Sequence, residues 1–274
     1  MFKGFITIWF VLSGLSQGFQ AQEVGIKLPM ISAHRGASRV APENTLIAFS
    51  KAIAEGADFI EIDVRTTSDG AQIIMHDASL KRTTGLDAKV ENTSLVDVKK
   101  LSSGREWGKA YENEKVPTLE EVCVMVDQQN KSRTYPIKLY VDCKVINTDE
   151  VIRTLKGHAL LESAVFYGNM NTLTGIKRVY QHARIMPSYP GKDHVKNVID
   201  KIRPYAFDVA YTDLNEETIS LCHTNDVKAF SDLLGQNDKP QAYKKAIQLG
   251  IDLIQTDDVS GVRQVYNEFE SVRK

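Results

Sequence analysis

Cysteine is scarce: Cys123, Cys143 and Cys222 are the only ones in 274 residues, and no pair has the close spacing of a zinc site. Three thiols also exclude a dense disulfide framework; their ordinary role is that of small buried apolar residues. An excess of either charge is missing too. Thirty-four lysines and arginines stand against 35 acids, the formal charge is −1, and there is no basic run. That removes the electrostatic case for nucleic acid, so an anionic substrate has to be held locally, by a metal ion or a few placed cations. No period of roughly 20 to 50 residues recurs, which excludes a solenoid.

Long hydrophobic runs are absent as well. The one conspicuous apolar stretch, Phe5 to Leu15, is too short to span a bilayer comfortably. Preceded by Lys3 and followed by small and polar residues up to Ala21, it has the form of a secretory leader. Residues 1–21 are therefore expected to be a signal peptide, with a single exported domain over 22–274, periplasmic or extracellular, and no stable membrane span once the leader is gone. A retained membrane anchor is the alternative. Nothing in the sequence sets the oligomeric state.

What is present suits one α/β domain: 42% apolar and 25% charged residues, and a length close to the roughly 250 residues of a (β/α)₈ barrel. Short apolar strands alternate with polar loops and helical patterns. The strand candidates are Ile31–Ala33, Phe59–Val64, Ile73–Met75, Ile137–Cys143, Ala164–Tyr167, Arg184–Met186, Ala206–Val209, Val227–Phe230 and Leu253–Thr256. A helix is expected near Asn44 to Ala54, closed by Gly56, and another begins around Pro240 and ends at Gly250. This alternation argues for a parallel sheet, and the length for a TIM barrel. Nine strands are one too many, so one is expected to be a hairpin outside the barrel or not a strand. Residues 87 to 116, charged and weakly periodic, are long for a βα connection and read as a small insertion.

Four segments carry chemistry, all at or just past strand ends, where TIM barrels build their sites. They are Ala33-His34-Arg35-Gly36, Glu61-Ile62-Asp63-Val64, Met75-His76-Asp77 and Tyr140-Val141-Asp142-Cys143-Lys144. Glu61 and Asp63, two apart on a strand, project from one side, while Ile60, Ile62 and Val64 face the other. Inward-pointing acids repel and lose water unless they share a cation. With Asp142 they make three oxygen donors, which suits a hard cation such as Mg²⁺ or Ca²⁺. Taken alone, the pair could equally face solvent or a buried arginine. His34 and His76, expected at the ends of different barrel strands, suit the proton transfers of phosphodiester cleavage. Arg35 and Lys144 would place positive charge on phosphate oxygens, or else pair with the acids. Glu43-Asn44 has two open roles, starting a helix or shaping the site.

Taken in order, these residues resemble the glycerophosphodiester phosphodiesterase family. The resemblance is carried by His34-Arg35-Gly36, Pro42-Glu43-Asn44-Thr45, Gly56-Ala57-Asp58, Glu61-Ile62-Asp63-Val64, Asp69-Gly70, His76-Asp77 and Leu80-Lys81-Arg82-Thr83-Thr84-Gly85. Val116-Pro117-Thr118-Leu119-Glu120-Glu121-Val122, Leu249-Gly250-Ile251-Asp252 and Thr256-Asp257 extend it to about Ile31–Val259. It implies a TIM barrel that cleaves glycerophosphodiesters to glycerol 3-phosphate and an alcohol through a cyclic phosphate. Glu61 and Asp63 would bind the divalent cation, His34 and His76 would be the acid–base pair, and Arg35 would contact phosphate.

Two positions depart from the family's pattern. Asp142 stands where a glutamate is usual, which bears on metal distance and ion choice. Ala229-Phe230-Ser231-Asp232-Leu233 replaces a tryptophan followed by Thr-Val-Asn, so Asp232 puts a charge where a neutral amide is common. Related barrels also suggest phospholipase D or phosphoinositide phospholipase C chemistry on intact lipid. A non-catalytic phosphodiester-binding barrel is the reading from another class.

Overall fold

The structure is a computed structural model that describes residues 27–271; the expected leader, residues 1–21, lies outside the described residues. Among the described residues nine strands form: β1 (Met30–Ala33), β2 (Phe59–Thr66), β3 (Gln72–Ile74), β4 (Lys138–Val145), β5 (Val165–Tyr167), β6 (Arg184–Met186), β7 (Ala206–Asp208), β8 (Lys228–Asp232) and β9 (Leu253–Thr256). The helices are α1 (Leu46–Glu55), α2 (Lys81–Thr84), α3 (Leu95–Val98), α4 (Leu119–Asn130), α5 (Thr148–Gly157), α6 (Met170–Val179), α7 (Val195–Ile202), α8 (Glu216–Thr224), α9 (Pro240–Leu249) and α10 (Val259–Ser271).

Eight strands run in the spatial order β6-β5-β4-β2-β1-β9-β8-β7, and neighbours in this order pair in parallel. The two end strands meet through Tyr205 N–H to Ile185 O (2.9 Å) and Asp208 N–H to Pro187 O (3.0 Å), which closes a TIM barrel. The surplus strand is β3. It pairs antiparallel with β2, as a hairpin over the turn at Asp69-Gly70, and Ile73 makes a further antiparallel bridge to Thr118.

Side-chain alternation divides the core into two layers. Ile60, Ile62 and Val64 face the helices, in one large apolar cluster with residues such as Phe49, Val122, Leu155 and Val262. The opposite face of each barrel strand fills the interior: Met30, Phe59, Tyr140, Val165, Met186, Ala206, Phe230 and Leu253 meet there, one from each strand. On β2, Phe59 is therefore the floor, with Glu61 and Asp63 successive steps above it toward the C-terminal mouth. Between β3 and α4 the chain builds a separate small core from Ile73, Met75, Leu80, Val90, Val98 and Val116.

Candidate active site

The turn after β1 is shaped by backbone geometry. Arg35 (φ 55°) and Gly36 (φ 83°) are both left-handed, as is Asn44 (φ 56°). Two non-glycine residues in that region carry a conformational cost that surrounding contacts must hold in place. Those contacts are here: Arg35 N–H donates to Glu61 Oε2 (2.7 Å) and Asn44 N–H to Arg35 O (2.9 Å). Helix α1 is capped by Thr45, whose Oγ1 accepts from Ala48 N–H, so Asn44 is free for another task. Its side-chain amide donates to Asp63 Oδ2 (2.7 Å), so it lies against the acid cluster while its neighbour caps the helix.

Glu61, Asp63 and Asp142 come together as expected. Each offers an oxygen within 4.8 Å of the others, and Glu61 and Asp63 are only 2% and 1% exposed. Burial, then the charges of Asp63 and Asp142, push the Glu61 carboxyl well above its ordinary range. Burial raises Asp142 as well, partly offset by Lys144. Two cations lean on the cluster: Lys144 Nζ lies 2.6 Å from Asp142 Oδ2 and 3.2 Å from Asp63 Oδ1, and Arg35 Nε 3.4 Å from Asp63 Oδ2. Arg35 NH1 also donates to Glu43 Oε1 (3.1 Å), yet its buried Nε has no hydrogen-bond partner. Of the two roles weighed for these cations, the structure shows the pairing with acids.

Both histidines reach the mouth, by different routes. His34 follows β1 directly, and its Nδ1 lies 2.8 Å from Asp257 Oδ1, just past β9. His76, expected at the end of a barrel strand, instead follows the hairpin strand β3. The hairpin runs back along β2, and Met75 N–H donates to Asp63 O (2.8 Å), which sets His76 beside the acids. Its Nδ1 is 2.7 Å from Asp77 Oδ1. Each ring therefore carries a carboxylate on Nδ1, the arrangement that fixes a proton there and leaves Nε2 available.

Sequence reasoning did not assign roles to Asp257 or Asp77, nor to Asp208 at the end of β7. Position just past a barrel strand was the available signal for Asp257, and adjacency to His76 for Asp77. Asp208 and Asp232 end neighbouring strands inside the barrel. Burial and the proximity of Asp142 push Asp208 up to about 6. Burial, then Asp208, push Asp232 well above its ordinary range. The remaining histidines lie elsewhere: His158 pairs with Glu120 and His223 with Asp252.

A cavity of about 1070 Å³ lies at the opposite end of the barrel, lined by Lys177, Arg184, Arg203, Tyr205 and Lys228 among others. Lys177 donates to the Gln181 carbonyl just past α6, so part of this positive charge answers a helix C-terminus. The acid–histidine cluster, at the strands' C-terminal ends, is the better candidate for chemistry.

Residues 34–260 match the model of the glycerophosphoryl diester phosphodiesterase family. The glycerophosphodiester phosphodiesterase of Caldanaerobacter subterraneus is 29% identical over 231 residues, 84% of this chain and 94% of that one. A crystal structure of the Thermotoga maritima glycerophosphodiester phosphodiesterase superposes with a TM-score of 0.66 at 25% identity, covering 87% of this chain and 99% of its own. An Oleispira antarctica phosphodiesterase in complex with the product sn-glycerol-3-phosphate has the same fold, with a TM-score of 0.77 at 22% identity over 88% of this chain and 97% of its own.

Proposed function

Because the chain belongs to the glycerophosphoryl diester phosphodiesterase family, we propose that it hydrolyses glycerophosphodiesters to sn-glycerol 3-phosphate and an alcohol, using a divalent cation, Mg²⁺ or Ca²⁺. The observation that carries this reading is the pairing of two carboxylate-oriented histidines, His34 and His76, with the buried triad Glu61, Asp63 and Asp142. The donor set fits a hard cation: all three donors are carboxylate oxygens, and burial has made their mutual repulsion costly. A bound divalent cation would polarise the phosphoryl group and ease ionisation of the attacking hydroxyl.

The protein's own groups do the rest. One imidazole Nε2 takes the proton of the attacking glycerol hydroxyl while the other delivers a proton to the leaving alcohol oxygen. In the second half, hydrolysis of the cyclic phosphate, the two exchange roles. Asp257 and Asp77 hold the rings in the tautomer this requires. Arg35, whose buried Nε makes no hydrogen bond and lies 3.4 Å from Asp63 Oδ2, and Lys144 would meet phosphoryl oxygens as charge develops. The leader-like composition before Ala21 supports export, so the substrate would be a diester met outside the cytoplasm.

The test is release of glycerol 3-phosphate from glycerophosphocholine, with and without chelator, by the wild type and by Glu61→Ala and Asp63→Ala. Loss in all three perturbed cases is expected. Full activity in excess chelator would remove the metal from the scheme. Turnover on phospholipid micelles but not on water-soluble diesters would move the activity to intact lipid. Stoichiometric binding without turnover would make the barrel a binding protein.

A further inference from the structure

Arg82, in α2, makes contacts that the chemistry above does not use. Its Nε donates to Asp77 Oδ2 (2.7 Å), while NH1 and NH2 donate to Glu43 Oε2 and Oε1, both at 2.8 Å. Each carboxylate is already committed on its far side. Asp77 Oδ1 takes His76 Nδ1 (2.7 Å), and Glu43 Oε1 also accepts from Arg35 NH1 (3.1 Å). One guanidinium therefore sits at the centre of a chain from an acid–base imidazole to a phosphate-facing arginine: His76, Asp77, Arg82, Glu43, Arg35.

We propose that Arg82 is a positioning residue of this site, holding His76 through Asp77 and Arg35 through Glu43, so that α2 fastens both sides of the substrate pocket at once. The proposal rests on the phosphodiesterase reading, and it needs arginine in particular. Three nitrogens in one plane meet two carboxylates, a fork that a lysine ammonium cannot reproduce. A single exposed ion pair would contribute little, but an arginine bidentate to one carboxylate and bonded to a second, within a network of five residues, is the exception to that rule. Electrostatics agree: the Arg82 hydrogen bond is the largest cause holding the Asp77 carboxyl well below its usual range. Glu43 is also lowered: burial acts to raise it, and Arg82 and Arg35 outweigh burial. Asp77 thus stays ionised and aimed, which keeps the proton on His76 Nδ1. Arg82 itself need not touch the substrate.

The geometry of α2 explains how a surface helix turn can do this. Leu80 is fully buried in the small core beside Ile73 and Met75, and Thr84 Oγ1 donates to Leu80 O (2.6 Å), closing the turn. Met75 also lies in that core, one residue before His76. Arg82 and His76 are consequently fixed to the same apolar cluster.

The experiment compares Arg82→Gln, Arg82→Lys and Arg82→Ala with the wild type in the Mg²⁺-loaded enzyme. For Arg82→Gln, kcat should fall about 10- to 100-fold, the scale of a misplaced catalytic group, with KM changed less than about threefold. Arg82→Lys should recover part of the loss, and added guanidinium ion should restore part of the activity of Arg82→Ala. Nitrogen-15 shifts of the His76 ring should report one tautomer in the wild type and a mixture in Arg82→Gln. A kcat for Arg82→Gln within about twofold of wild type would overturn the proposal. So would a fall in kcat with the His76 tautomer unchanged and no guanidinium rescue, which is what a merely structural arginine gives. The ring-nitrogen measurement needs no substrate. A wild type inactive on every glycerophosphodiester would therefore sink the functional reading while the tautomer still judges Arg82. Should Arg82→Gln fail to fold, the kcat and tautomer of Arg82→Lys decide instead.

Discussion

Asp63 and Asp142 are register partners across the parallel β2–β4 ladder. The two carboxylates leave neighbouring strands at the same height, about one strand spacing apart, and Lys144 Nζ reaches both. Sequence separates them by 79 residues, yet the ladder fixes their meeting. A slip of one residue would turn Asp142 toward the helix layer and bring Val141 or Cys143 inward. The acid triad is thus a product of strand register, with Glu61 one inward-facing step below.

Glu61→Gln is expected to raise the melting temperature of the metal-free protein while abolishing its response to metal. Glutamine keeps an oxygen for the Arg35 N–H and removes a charge that Asp63 and Asp142 oppose. For a domain of this size each kcal/mol relieved is worth about 2–4 °C. Differential scanning calorimetry with and without Mg²⁺ or Ca²⁺ checks it. A variant that melts lower without metal, or that still gains stability from the ion, would contradict the assignment of Glu61 as a ligand.

Asp257→Asn should lower kcat by roughly 100-fold or more, as removal of a histidine-orienting carboxylate does in catalytic triads. The amide can present an N–H to His34 Nδ1 and so favour the wrong tautomer. The wild-type Asp257 carboxyl lies below its usual range: burial works against this, and the His34 hydrogen bond and charge outweigh it. A lowered acid contributes stability at neutral pH, and this is lost as pH falls through its folded value. Asp257 should therefore remain ionised across the working range, and the acid limb of the rate profile should not belong to it. Steady-state rates for the variant between about pH 5 and 9 test this; activity equal to wild type would release Asp257 from the scheme.

The strands were readable because each interrupts polar sequence with a few apolar residues, and each of the nine expected segments overlaps one. The hairpin status of β3 was not. Gln72–Ile74 shows the same short apolar run as β5 or β6, and only its antiparallel partner distinguishes it. The site was partly legible for a similar reason. Glu61-Ile62-Asp63 and His76-Asp77 carry their chemistry in adjacent residues. His34 and Asp257 are 223 positions apart and meet only because β1 and β9 are neighbours in the closed barrel. Asn44 was ambiguous because the hydroxyl that caps α1 belongs to the next residue, Thr45.

Asp208 and Asp232 should make the metal-free protein lose stability as pH rises. Asp208 titrates at about 6 in the fold against 3.8 ordinarily, so between these values the native state holds a proton the unfolded chain has released. The contribution is complete below about 3.8 and gone above about 6. Asp208→Asn should flatten the melting temperature measured across that interval; an unchanged slope would show that other groups set it.

The same acids bear on substrate choice. Asp232, carried by β8, puts a carboxyl into the interior of the mouth beside Asp208 and Asp142; burial and these neighbours disfavour its ionisation, and a cation brought alongside would favour it. Diesters with a cationic head group should gain from it. Asp232→Asn is expected to reduce kcat/KM for glycerophosphocholine about five- to tenfold relative to glycerophosphoinositol, equivalent to about 1–1.4 kcal/mol. Equal effects on both substrates would place Asp232 away from the head group.

Gly36→Ala tests the turn that aims His34 and Arg35. Gly36 has φ 83°, and a β-carbon there would lie 2.7 Å from the Ala48 carbonyl carbon and 2.9 Å from Phe49 N, both backbone atoms of α1. The left-handed conformation alone costs about 1–3 kcal/mol when held against preference. The overlap adds to it, because α1 is anchored in the core by Phe49 and Ile53 and cannot yield freely. Relief is expected to come from the turn instead, moving Arg35 N–H off Glu61 and His34 off Asp257. Urea unfolding should show the stability loss, and kcat should fall by more than that loss explains at temperatures where the variant is fully folded. A folded Gly36→Ala enzyme with wild-type kcat would mean that His34 is aimed by Asp257 alone.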